Sequence, residues 1–145
     1  MATEKRAEVT WRGDLPGGEG TIERVGSGLF GPLAVTWAAR TGEEGGKTSP
    51  EELIAAAHAA CFSMALSNVL AKGGTVPDTL SVAAAVEFVP GTGITTSTLE
   101  VTGQVPEIDE AAFRAAAEDA KENCPVSKAL RGNVEMSVTA KLATS

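Results

Sequence analysis

The sequence predicts an α+β fold with antiparallel sheet, as a single domain over residues 1–145. Period-2 alternation of apolar and polar residues recurs near both ends of the chain. Between them, residues 50–71 form a long apolar helical run opened by a strong cap. The strands are joined by turns of hairpin length, which suits antiparallel pairing better than βαβ crossovers.

The first elements form a three-stranded meander over about residues 6–40. Ala7, Val9 and Trp11 alternate with Glu8, Thr10 and Arg12, so one face of this strand is apolar. Pro16-Gly17-Gly18 makes a turn, and Thr21 to Val25 is a weaker strand. After Gly26-Ser27-Gly28, Leu33, Val35 and Trp37 share a face of a third strand that Arg40 ends, with its side chain on the opposite side. Gly42 to Lys47, which contains Glu43-Glu44, is too glycine-rich for regular structure.

At Ser49-Pro50-Glu51-Glu52 a hydroxyl stands at the N-cap, proline at the first helical position and Glu52 at the capping-box position. The helix runs to Ala71 and closes at Gly73-Gly74. Apolar residues surround its axis, so it needs either a sheet wrapped around it or a partner subunit. Residues 79–142 supply a hairpin, a helix and a final strand. Leu80, Val82, Ala84, Val86 and Phe88 share one face, Leu99, Val101 and Val105 another, and Gly91-Thr92-Gly93 turns between them. Asp109 starts a helix with Phe113, Ala116, Ala117 and Ala120 inward, and Val134, Met136, Val138, Ala140 and Leu142 line the last strand.

Twelve basic residues against nineteen acidic ones give a net charge of −7, the wrong sign for nucleic acid or an anionic membrane. Glu118-Asp119 reads as a solvated face. The N-terminus lacks the apolar core of a signal peptide, which makes the cytoplasm the expected compartment. His58, Ser63, Ser67 and Asn68 interrupt the apolar stretch Leu53–Leu70, so it reads as a core helix and not as a membrane span. No glycine loop has phosphate-binding spacing, two cysteines and one histidine are a poor start for zinc, and no bound cofactor is expected.

The chemistry rests on two cysteines, which cytosolic reductants would keep free except during a catalytic cycle. Cys124 precedes Pro125, which pushes it out of the α region and makes it the N-cap of a new turn, where N–H groups and the helix dipole favour a thiolate. Cys61 lies mid-helix in apolar surroundings that raise a thiol pKa, so its reactivity needs a nearby cation. Arg40 is the first candidate, with Glu51 on the first turn of the same helix placed to hold it; Arg12 and Arg24 are alternatives. His58 reads as a hydrogen-bonded core or interface histidine, or as a base for Cys61.

Thr48-Ser49-Pro50-Glu51-Glu52-Leu53, running into Ala56 to Leu66 through His58-Ala59-Ala60-Cys61-Phe62-Ser63-Met64-Ala65, closely resembles the first motif of the OsmC/Ohr family. Asn123-Cys124-Pro125-Val126-Ser127 with Leu130 resembles its second, and Trp11-Arg12-Gly13-Asp14 fits its N-terminus. The first motif looks like the osmotically inducible OsmC branch. The resemblance implies an intertwined homodimer in which antiparallel sheets wrap around central helices, and a peroxidase that reduces organic hydroperoxides. It implies Cys61 as the attacking thiolate, Cys124 as the resolving thiol and Arg40 with Glu51 as the activating pair. It also implies regeneration by an external dithiol, of lipoyl type in the family. A competing reading is a non-catalytic dimeric stress protein that holds an apolar ligand between buried helices.

Overall fold

The computed structural model describes residues 1–42 and 45–143, so Glu43-Glu44 lies outside the described residues. The chain divides into two compact units, Met1–Leu53 and Ile54–Ser145.

The first unit carries a three-stranded antiparallel sheet, β1 (Ala7–Arg12), β2 (Glu19–Val25) and β3 (Leu33–Val35), in the order β1-β2-β3. Glycine at position 20 is required by packing, because an added methyl group would stand 2.7 Å from the Trp11 ring. The third strand is shorter than the alternation suggests. Trp37 and Arg40 belong to a short helix, α1 (Trp37–Thr41), and not to the strand. Thr36 starts it, its hydroxyl accepting from the Ala39 N–H at 3.1 Å, and this local cap prevails over the period-2 pattern. Few described side chains of this unit are buried: the apolar Ile22 and Ala39 and the polar Ser49 and Glu51 are, whereas Val9, Trp11, Leu29, Phe30 and Leu33 are exposed and every residue of β1 is open.

The long helix α2 (Pro50–Lys72) begins as its sequence dictates, with Ser49 Oγ accepting from the Glu52 N–H at 3.2 Å. The reciprocal half of the capping box is absent, because Glu52 accepts instead from the Thr48 hydroxyl at 2.8 Å. Gly74, at φ +90°, closes the helix, and Thr75 N–H returns to Leu70 O at 2.9 Å.

In the second unit, β4 (Thr79–Val89) pairs antiparallel with β5 (Gly93–Gln104), and β5 pairs with β6 (Glu135–Leu142). The β5–β6 pairing is parallel, which corrects the all-antiparallel expectation. Between them come α3 (Glu110–Asn123) and α4 (Pro125–Leu130), the length of chain a parallel crossover needs.

Along α2, His58, Phe62, Leu66 and Leu70 recur every four residues and are at most 2% exposed. The last three form one cluster with Leu99 and Val101 of β5, Phe113, Ala117 and Ala120 of α3, and Ala140 of β6. Within the chain, then, α2 is buried along one stripe rather than on nearly all sides, and Met64 is 73% exposed. Its length and apolarity would also suit a membrane-crossing helix.

Gly103 is the tightest point of the cluster: an added methyl group would lie 2.5 Å from Phe113 Cζ. Gly103→Ala is expected to destabilise the fold by about 1–3 kcal/mol through overpacking. Urea denaturation measures it, and an unchanged midpoint would show that the Phe113 ring is not held in place.

Candidate active site

Pro125 shapes the local backbone at Cys124. With φ −62° and ψ 133°, Cys124 is extended, ends α3 through its N–H to Ala120 O at 2.9 Å, and begins α4 as its N-cap. Its sulfur is fully buried and accepts from the Ser127 N–H at 3.4 Å and the Ser127 hydroxyl at 3.5 Å.

The half-buried Cys61 of α2 is close enough to this sulfur for each thiol to shift the other's acidity, and the Val126 N–H favours the thiolate at both. Their environments bias them in opposite directions. Burial pushes the Cys61 thiol up, and Cys124 adds to the rise against the Val126 N–H. Burial also pushes Cys124 up, but the Ser127 hydroxyl and N–H, then Cys61 and Val126, outweigh it and leave this thiol below its ordinary range.

His58 is fully buried, with Nδ1 2.7 Å from Ser97 Oγ and Nε2 2.9 Å from Ser127 Oγ. Both ring nitrogens are thus taken by serines, and the imidazole is not placed as a base for Cys61. Burial lowers its pKa below the ordinary 6.5. Sequence reasoning misses Ser97. Its signal is a polar residue at an inward position of β5, in the same alternating row as Leu99 and Val101.

In the first unit, Arg40 donates from Nε to Glu51 Oε1 at 2.7 Å, with the two side chains 30% and 7% exposed. Its guanidinium also lies 5.9 Å from the Trp37 ring centroid, a cation–π distance. Glu51 Oε2 is buried and has no hydrogen-bond partner among the described residues. The other two arginines are differently placed. Arg24 pairs with Glu8 at 2.8 Å on the surface, and Arg12 is exposed in β1. Among the described residues, no three His, Cys, Asp or Glu side chains gather as a metal site would require.

Residues 42–139 match the family model described as OsmC-like protein. The chain belongs to the OsmC-like family. It is 38% identical to the peroxiredoxin OsmC of Escherichia coli (strain K12) over 140 residues, 94% of this chain and 96% of that protein. It is 34% identical to the organic hydroperoxide resistance protein of Xanthomonas axonopodis pv. citri (strain 306) over 102 residues, 68% of this chain and 70% of that one. The fold is that of family members whose structures are solved. The organic hydroperoxide resistance protein OhrB of Bacillus subtilis superposes with a TM-score of 0.66 at 29% identity, covering 94% of this chain and 98% of its own.

The lowered His58 pKa makes stability depend on pH with a definite sign. Below about 6.5 the unfolded chain binds a proton that the folded one refuses, so this contribution is present above 6.5 and is lost as pH falls through the folded value. The imidazole NMR signals of this single histidine should therefore show the neutral ring at pH 6.5 and somewhat below, while the urea midpoint declines over the same range. A ring that titrates at 6.5 or above would contradict the burial.

Proposed function

We propose that this OsmC-like protein is a thiol peroxidase that reduces organic hydroperoxides to alcohols, acting as a cytoplasmic homodimer with each chain as one domain. The observation that carries the reading is the proximity of two free thiols with opposite electrostatic bias, inside a fold whose relatives are named for peroxide chemistry.

In this mechanism the Cys61 thiolate attacks the distal peroxide oxygen. The O–O bond breaks, the alkoxide takes a proton and leaves as alcohol, and Cys61 becomes a sulfenic acid. The Cys124 thiolate then attacks the Cys61 sulfur. An S–S bond forms, the S–O bond breaks, and hydroxide takes a proton to leave as water. An external dithiol, of lipoyl type by family resemblance, reduces the disulfide to two thiols and is itself oxidised.

Within one chain Cys61 is the weaker acid, so it needs a cation to attack first. The Arg40–Glu51 pair is proposed to supply it in the assembled dimer. Opposite charges about 4 Å apart near a protein surface attract by about 4 kcal/mol, enough to reverse the order of two thiols. The unpartnered Glu51 Oε2 leaves one acceptor for a second donor from the same arginine, which would fix the guanidinium in plane.

Support for the dimer comes from surface that this chain leaves open. Val9, Trp11 and Leu33 on the first sheet and Met64 on α2 are apolar and exposed, the kind of surface a partner subunit covers. A partner covering them would also shield the site from water. The organic part of the substrate would add binding by apolar burial, at about 0.8 kcal/mol per methylene.

Turnover of cumene hydroperoxide with a dithiol, followed for wild type and variants, tests the reading. Cys61→Ser should abolish it. Arg40→Ala and Glu51→Gln should slow sulfenate formation roughly tenfold to a hundredfold, the effect of losing one hydrogen bond to a charged group. Wild-type turnover in Cys61→Ser would sink the assignment. If Arg40→Ala has no effect and Arg12→Ala or Arg24→Ala does, the activating role passes to that arginine.

A further inference from the structure

Among the described residues, the groups that favour the Cys124 thiolate are the Ser127 hydroxyl, the N–H groups of Ser127 and Val126, and the Cys61 thiol, none of them a cation. The Ser127 hydroxyl has one proton, and its direction depends on His58. A neutral imidazole has one donor nitrogen and one acceptor nitrogen. If Nε2 accepted, Ser127 would point its proton at the ring and the sulfur would lose that donor. With the Ser127 O–H aimed at Cys124 Sγ, Nε2 must carry the proton and Nδ1 must accept from the Ser97 hydroxyl. The result is a chain in which every donor points toward the sulfur: Ser97 to His58, His58 to Ser127, Ser127 to Cys124.

All four members are fully buried, so water cannot replace a missing partner. They come from β5, α2, the α3–α4 junction and α4, and their alignment is a property of the packed second unit. Aligned hydrogen bonds polarise one another, which strengthens the last one, onto sulfur.

We propose that His58 is a positioning residue which, through the single proton of Ser127, holds Cys124 ready to attack the Cys61 sulfenic acid. The inference rests on the reading of Cys124 as the resolving thiol, and it assigns the buried histidine to the second chemical step. The step is balanced within the site: Cys124 gives up its thiol proton, the leaving hydroxide takes one, and no further oxidant or reductant is involved. Among the described residues, the titratable group that acts on Cys124 is the Cys61 thiol on α2, and His58 is shifted by burial alone.

Two measurements separate this role from a merely structural histidine. In fully reduced Cys61→Ser protein, thiolate absorbance near 240 nm titrates Cys124 without any peroxide. Adding Ser127→Ala or His58→Leu should reduce the thiolate fraction at neutral pH about tenfold, the lower end for losing one hydrogen bond to a charged group. Ser127→Thr and His58→Gln, which keep the hydroxyl and a donor, should restore most of it. In protein with both cysteines, rapid-quench trapping of the sulfenate compares disulfide formation with sulfenate formation in the same reaction. The ratio should fall about threefold in Ser127→Ala, because the fewer thiolates are individually more nucleophilic, with a Brønsted slope of about 0.4–0.5.

An unchanged titration and ratio, accompanied only by a lower thermal midpoint, would overturn the proposal and leave His58 as a packing group. Should His58→Leu misfold, Ser127→Ala decides between the two roles, since it removes a single hydroxyl. If wild type forms no sulfenate at all, the peroxidase reading fails, while the peroxide-free titration still decides whether His58 and Ser127 set the state of Cys124.

Discussion

The proximity of Cys61 to Cys124 is the constraint on which the proposed chemistry depends, and hydrophobic packing sets it. Phe62, Leu66 and Leu70 fix the rotation of α2 against β5 and α3, and Cys61 precedes the first of them. Phe113, Ala117 and Ala120 fix α3 in the same cluster, and Cys124 is the residue on which α3 ends. Gly103 lets the Phe113 ring lie against β5. Two cysteines more than sixty residues apart in sequence are thus brought near each other because two apolar stripes share one core. The disulfide step needs that closeness more than it needs any single charge.

Burial raises both thiols, and the difference between them comes from hydrogen-bond donors. Cys124 has the Ser127 hydroxyl and N–H, supplied by the turn that Pro125 starts, whereas Cys61 has the Val126 N–H. A mid-helix cysteine has no nearby free N–H of its own helix, since those groups are committed to carbonyls one turn back. Its activation must come from elsewhere. The protein does hold a guanidinium oriented by a nearly buried carboxylate, in Arg40 and Glu51.

Much of this is legible in the sequence, for local reasons. The caps at Ser49 and Asp109, the Cys124–Pro125 junction and the alternation in β4 and β6 are decided by a few neighbouring residues, and each forms as its chemistry requires. The departures have equally physical causes. Trp37 and Arg40 continue an apolar-polar alternation, but the Thr36 cap turns the chain into α1. The parallel β5–β6 pairing escapes a sequence reading because two helices can precede either strand direction, and only the packing of α3 decides. The environment of His58 is out of reach for another reason. Ser97 and Ser127 lie 39 and 69 residues away, and no local pattern pairs a serine with a distant imidazole.

The central claim is that Cys61 and Cys124 of one chain form a redox couple. It is tested most directly by mass spectrometry after one equivalent of an organic hydroperoxide is added to the reduced protein under denaturing, thiol-blocked quench. The account predicts that each chain loses two hydrogens, and that digestion yields a single linked pair of peptides containing Cys61 and Cys124. A disulfide between chains, or a stable sulfinic acid on either cysteine with the other thiol still free, would contradict it.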